Sequence, residues 1–424
     1  MAKPKNIVII GTLDTKGEET QFVKALIEER GHFPIIIDCG IRGAPYFHPS
    51  ISRQAVAEAA KTTLDEIIAK ANKNDAIRIM TLGTTEIALR LYREGQLDGV
   101  IALGGVQGTL ISTKVMQALP FGVPKVMVST VANGQTTFGP FTGTKDITMI
   151  HSVADILGLN FVTRQVLAEG VGAITGMVEM EIGHVAARPA VGMTAAGITT
   201  ACAMRVREVM ESWGYEVIAF HCNGIGAKAM EEFVYAGRLV GILDLTPHDV
   251  IDSLFGGIFP ASPDRMEATC RRGLPQVVVP GGADFILFGS LESVSPKMLE
   301  RKYVIHNPIH THVKANHDEM VAVGRFVAER LSRSSGPSEI LIPNRGFSQL
   351  NIAGGPMFEP ESDKGFLEGL SAELARTGAK NIGVEVLDMH INDPAFAEAA
   401  AKRLDRMIRE KDKCLNEGYC TVKI

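Results

Sequence analysis

Two sets of residues in this 424-residue chain have the types and spacing to do chemistry. The first begins where the apolar run IVII (7–10) meets Gly11, Thr12, Asp14 and Lys16. A buried strand, a Gly/Thr turn and a helix start leave free N–H groups at the positive end of a helix dipole, a setting suited to phosphate. The order here is G-x-x-x-x-K-G, which is neither the P-loop pattern nor G-x-G-x-x-G. On the residues alone it reads either as a phosphate-binding turn or as a plain tight turn. Three further segments repeat the theme. IRIMTLGTTE (77–86) reads as a strand ending in Gly83, Thr84 and Thr85. GVIALGGVQGT (99–109) ends in Gly104, Gly105, Gln107, Gly108 and Thr109. GVPKVMVST (122–130) ends in Ser129 and Thr130. Gly lets a ligand approach the backbone, and hydroxyls donate to phosphate oxygens. In an open parallel sheet the carboxyl ends of the strands share one edge, so four such ends together point to a polyanion or nucleotide site.

The second set is titratable and lies in the second half. His221, Asp244, His248 and Asp284 each follow an apolar run that reads as a buried strand. His works as an acid or base near neutral pH and carboxylates orient it, so these four are the candidate catalytic residues. They read equally as helix caps. Cys222 beside His221 fits a core thiol better than a nucleophile. His306, His310, His312 and His317 cluster in YVIHNPIHTHVKANH. Their spacing allows metal ligation, but no H-E-x-x-H accompanies it and Asn307-Pro308 breaks a shared helical face. They are taken as loop histidines, with no metal site assigned. Arg345, Gly346 and Ser348 could clamp an anion or simply form a solvated loop.

The elements that must position these residues alternate strand and helix along the chain. A helix is expected from Lys16-Gly17 to Gly31, with Phe22, Val23, Leu26 and Ile27 on one face. PIIID (34–38) follows as a strand, then a long Gly/Pro/aromatic loop (39–52) and one helix over 53–72. The second half repeats the first. GQLDGVIAL at 95 aligns with GRLVGILDL at 237, and GVPKVMVST at 122 with GLPQVVVPG at 273. The opening unit recurs at 189–226, and the helix at 53–72 reads as an insertion in the first copy. After a helix at about 316–333 come a strand (339–343), a Gly/Pro-rich loop (344–362), a helix (363–377), a strand (381–388) and a closing helix (394–412). The fold expected is α/β: two Rossmann-like three-layer domains with mainly parallel sheets, related by internal duplication. The domains are placed at 1–180, nucleotide-binding, and 181–424, with the candidate second site.

Composition bounds the partners. The net charge of −5 offers no bulk attraction for nucleic acid or anionic membrane. Six scattered cysteines without a C-x-x-C pair fit free thiols in a reducing cytosol. The four apolar residues before Gly11 are too few for a signal-peptide core, and no run is long enough to span a bilayer. A cytoplasmic protein is expected.

GTLDTKGEE, CGIRGAP, GGVQGT, PKVMVST, HCNGIGAKAMEE, LDLTPHDV, PDRMEA, PQVVVPGGADF, HNPIHTHVK and IPNRGFS, in this order along the whole chain, resemble the tobamovirus-resistance-protein-like ATP-binding domain family. The resemblance implies an ATP-binding first half, with or without Mg²⁺, a second α/β subdomain, and a homodimer or higher homo-oligomer. In some members a TIM-barrel domain follows. This chain ends without it, so that activity would need a separate partner. The nucleotide role is carried onto Gly11, Thr12, Asp14, Lys16, Gly104, Gly105, Gln107, Gly108 and Thr109. Asn351 stands where the family pattern has Asp, which weakens a catalytic carboxylate there. Two functions are therefore expected in competition. One is a nucleotide-binding enzyme acting on an unidentified small molecule through the second-half His/Asp set. The other is a non-catalytic ATP-dependent protein-binding module.

Overall fold

The computed structural model describes residues 3–70, 72–134, 139–183, 187–379 and 381–416. The chain forms two compact units, residues 1–185 and 186–424.

The first unit runs β1 (Asn6–Gly11), α1 (Gly17–Glu29), β2 (Phe33–Asp38), α2 (Arg53–Ala59), α3 (Leu64–Lys70), α4 (Lys73–Arg93), β3 (Gly99–Gly104), α5 (Val106–Ala118), β4 (Lys125–Ser129), α6 (Gly139–Thr142), β5 (Thr148–His151) and α7 (Phe161–Glu179). Its sheet is parallel with order β2-β1-β3-β4-β5. Ile7 to Ile10 and the whole of β3 are buried, as strands covered on both faces must be. One apolar cluster packs Val8 and Ile10 under α2, α4 and α5. The other packs Ile7 and Ile9 under α1 and α7. Together they make the three layers.

The second unit runs β6 (Ala190–Ala195), α8 (Thr200–Ser212), β7 (Glu216–His221), α9 (Ile225–Tyr235), β8 (Gly241–Asp244), α10 (His248–Phe255), α11 (Glu267–Arg272), β9 (Gln276–Val278), β10 (Phe285–Phe288), α12 (Pro296–Leu299), β11 (Tyr303–Asn307), β12 (His310–Lys314), α13 (His317–Leu331), β13 (Ser338–Pro343), α14 (Pro360–Thr377), β14 (Ile382–Leu387) and α15 (Pro394–Asn416). Its main sheet is parallel with order β14-β13-β9-β8-β6-β7. The first four strands of each unit therefore occupy the same order, as the repeat in sequence implies.

Four sequence expectations are corrected. IRIMTLGTTE is not a strand but the middle of α4, so Gly83, Thr84 and Thr85 end no strand. Asn72 caps that helix by accepting from the N–H groups of Asn74 and Asp75. Gly83 is required by packing: a Cβ there would fall 1.9 Å from the Val56 carbonyl oxygen of α2. The helix expected over 53–72 is two, α2 and α3, separated where Lys61 adopts a φ of 61°; residue 71 lies outside the described residues. The edge strand β5 was not foreseen. Nor was the antiparallel sheet β10-β12-β11, which turns the expected histidine loop into a hairpin with Asn307-Pro308 at its tip.

No helix among the described residues is long and apolar enough to cross a membrane. Cys39, Cys202, Cys222 and Cys270 are free and buried. Cys420 lies outside the described residues, and so does the side chain of Cys414.

Candidate functional site

Strand order 2-1-3-4-5 places a switch point between β1 and β3, where the chain leaves neighbouring strands toward opposite faces of the sheet. A cavity of about 350 Å³ opens there. Three turns wall it: residues 12–16 after β1, residues 39–42 after β2, and residues 104–108 after β3. A fourth, apolar wall comes from Ala76, Ile77 and Met80 of α4 and Ile111 of α5.

The turn after β3 is built for close approach. A Cβ on Gly104 would sit 3.1 Å from the Gly108 Cα, so strand end and helix start nearly touch. Gly105 precedes α5 with no side-chain cap, and the first backbone bond of the helix runs from Thr109 N to Gly105 O. The N–H groups of residues 106–108 therefore have no partner within the helix. Behind them Thr109 Oγ1 lies 2.6 Å from Ser129 Oγ, which in turn accepts from Val131 N. Thr109 and Ser129 are buried and tie the ends of β3 and β4 together. Thr130 stands at the margin, its N–H donating to Gly104 O.

Two carboxylates lock the other turns to each other. Asp38 Oδ1 accepts from Leu13 N (3.0 Å) and Gly40 N (2.9 Å). Asp14 Oδ2 accepts from Arg42 N at 2.6 Å. Burial pushes the Asp38 carboxyl above the usual carboxylate range, against the pull of its two N–H donors. Cys39 lines the cavity, but its thiol donates to Gly11 O and burial drives its pKa far up, which removes it as a nucleophile. Lys16 lines the cavity and donates from Nζ to the carbonyl of Ile156. A carbonyl leaves the ammonium charge uncancelled, so Lys16 can attract an anion. Gly11 is buried, where a Cβ would meet Thr20 Oγ1 at 2.9 Å.

The structure thus brings Thr12, Asp14, Lys16, Gly104, Gly105, Gln107 and Gly108 to one cavity. It does not bring Gly83 and Thr84 there as a strand end; Thr84 is buried and donates to Met80 O inside α4. Sequence reasoning missed Gly40, Ile41 and Arg42 as wall residues, although their loop stood out. It missed Ala76, Ile77, Met80 and Ile111 as well. The signal for Ala76, Ile77 and Met80 was Asn72 as a helix cap followed by helical spacing at 76, 80, 84, 87 and 91.

In the second unit the four candidate acid/base residues serve separate networks. His221 ends the edge strand β7 and is exposed. Asp244 is buried, accepting from Thr194 Oγ1 (2.7 Å) and Arg265 Nη2 (2.8 Å). Arg265 is fully buried between Asp244 and Asp249, with Glu231 beside it. Burial raises Asp249 above its ordinary range and Glu231 to about 7. His248 faces the Gly282 carbonyl with Nδ1 at 2.7 Å, which fixes the proton on that nitrogen. Its Nε2 lies 3.6 Å from Asp252 Oδ2. Asp284 accepts from Ser348 Oγ (2.9 Å), with Lys314 Nζ at 3.8 Å and closer to Asp363. The switch point of this unit is filled by its own chain: Thr199 Oγ1 bonds Thr246 Oγ1 (2.7 Å), and a Cβ on Gly282 would strike Ile198.

Among the histidines, His312 stacks on Phe285 at 4.4 Å and on His306 at 5.2 Å. Burial, with His248, His306 and His310 nearby, lowers its pKa to about 3. No group of three or more potential ligands able to hold a metal ion occurs among the described residues. Arg345 pairs with Asp388 on the surface, and Asn351 Nδ2 donates to Asp363 at 2.7 Å.

Fold and site together define a tandem α/β protein whose first unit has an open crevice at its switch point, where the second unit sets the Thr199–Thr246 contact. Two family descriptions match the chain in that order. "Uncharacterised protein family (UPF0261) N-terminal domain" covers residues 5–183, and the corresponding C-terminal domain covers 188–408. The chain belongs to the UPF0261 family. It is 36% identical over 407 residues to a UPF0261 protein of Clostridium tetani, spanning 96% of this chain and 100% of that one. It is 38% identical over 396 residues to one of Rhizobium meliloti, spanning 93% and 97%. It is 34% identical over 330 residues to the ToMV resistance protein Tm-1(GCR237) of Solanum lycopersicum, spanning 76% of this chain and 43% of that protein.

Proposed function

We propose that the first unit is a nucleotide-binding module that takes ATP in the crevice beyond β1, β2 and β3. The observation that carries this reading is the convergence on one cavity at a switch point of Lys16 and the N–H groups of 106–108, which have no partner within α5. The phosphates lie at the start of α5, where the dipole and the amides favour negative charge. The adenosine end fits the apolar wall of Ile41, Ile77, Met80 and Ile111. Asp14 lines the cavity, and its carboxylate would hold a Mg²⁺ ion arriving with the phosphates.

Of the two functions expected, the binding module has the better support. Asp244 is held by Arg265 and Thr194, and His248 and Asp284 are buried in loop-holding contacts. A ligand that binds only the folded state raises its melting temperature by mass action. The test is thermal unfolding with ATP and Mg²⁺, run beside a phosphate-release assay. A rise without phosphate release is expected. No rise refutes nucleotide binding, and release above the blank refutes the non-catalytic reading.

A further inference from the structure

We propose that the second unit holds a separate small-molecule site, a groove between α8 and the β6–β7 edge that takes an aromatic carboxylate. The groove encloses about 380 Å³. Thr200, Ala203, Met204 and Arg207, spaced as one helical face, form one wall. Ala195, Ala219 and His221, alternating along β6 and β7, form the other.

The two copies of the fold show why the groove is open. In the first unit β2 is the corresponding edge strand, and its carboxyl half, Ile36 to Asp38, is buried. The long loop after β2 supplies the cover. Phe47 packs against the cluster that contains Val23 and Ile36, and Tyr46 lies so close over Gly17 that a Cβ there would fall 2.0 Å from the tyrosine Cβ. Tyr46 is pinned by its N–H to Leu13 O. In the second unit only residues 222–224 separate β7 from α9, so no aromatic pair returns. Thr200 begins α8 where Gly17 begins α1, and Ala219 on β7 remains exposed. The notch that Phe47 covers in the first copy is open in the second, over Ala195, Ala203 and Ala219. A flat ring of phenyl size therefore matches the volume and chemistry of the vacant floor.

The rim selects the charge. Arg207 and His221 line the groove and no carboxylate does. Arg207 holds Glu211 through Nε at 2.7 Å, which aims the guanidinium while leaving its other donors for a ligand. Thr200, at the start of α8, also lines the groove, and the first turn there carries no acidic residue, so the helix dipole makes that end of the groove positive too, two turns from Arg207. A carboxylate one or two bonds from the ring reaches this rim while the ring rests on Ala195 and Ala219.

The probe is phenylacetate, with 2-phenylethanol as its uncharged counterpart, followed by saturation-transfer NMR on the full chain. Transfer to the phenylacetate ring protons is expected, with at least tenfold weaker binding of the alcohol. Ala219→Leu fills the floor at an exposed position and should abolish transfer with an unchanged melting temperature. Arg207→Gln, also on the surface, should weaken phenylacetate alone and bring it level with the alcohol. Absence of transfer in the wild type, equal binding of acid and alcohol, or transfer that survives both substitutions overturns the site.

Discussion

His312 should make the second unit lose stability on acidification, because its surroundings keep the folded ring neutral. The ring is buried between Phe285 and His306, and its pKa falls from 6.5 to about 3. The unfolded chain therefore takes up a proton as pH falls through 6.5, while the folded protein refuses it until far lower. Stability contributed by the neutral ring is fully present above the unfolded value and is lost as pH falls toward the folded one. Between about pH 8 and about pH 5 the loss is about 2 kcal/mol. That figure depends almost wholly on the unfolded value, because the folded ring stays neutral throughout the interval. Glu231 acts in the opposite sense: its pKa is raised to about 7, so its protonation favours the fold as pH drops. The wild-type curve mixes both, and the difference between variants isolates one. His312→Phe keeps the stack and removes the proton site. Urea unfolding followed by circular dichroism at several pH values should show the variant gaining on the wild type by about 2 kcal/mol from pH 8 to pH 5. Parallel curves would refute the assignment of a buried neutral imidazole.

Three further outcomes are expected. Lys16→Ala should weaken ATP about tenfold and reduce the ATP-induced rise in melting temperature accordingly; an unchanged rise removes Lys16 from the site. Gly83→Ala should destabilise by about 1–3 kcal/mol, because the new methyl meets the Val56 carbonyl, whereas helix propensity alone favours Ala by about 1 kcal/mol; a more stable variant in chemical unfolding would show that α2 and α4 do not approach so closely. Arg265→Met should cost about 3 kcal/mol or more, since it leaves Asp244 and Asp249 buried without their cation; calorimetry showing an unchanged transition would mean those carboxylates find other partners.

Much of this protein was legible in its sequence because local pattern and tertiary role agree. The strand–turn–helix–strand opening, the buried runs at β3 and β4, and the closing helices carry their periodicity in the residues themselves. The repeat placed β1 against β6 and β3 against β8, and with it the alternation of two parallel sheets. It also exposed the Gly/Thr turns whose residues 12–16 and 104–108 now face one cavity.

Tertiary structure decided the rest. Residues 77–86 are rich in β-branched side chains and end in Gly-Thr-Thr, which is strand chemistry read locally. They are helical because α4 buries Ala76, Met80, Thr84 and Ile87 against its neighbours, and a glycine lets α2 approach. Packing energy outweighs the small propensity difference between the two states. The same cause hid the apolar wall of the cavity, since Ile77 and Met80 reach it only from a helix. The second-unit histidines and aspartates show the converse. Their positions after buried strands were visible, but whether such side chains converge depends on what fills the switch point. There Ile198, Thr199 and Thr246 close the crevice in space, from turns some 47 residues apart in sequence.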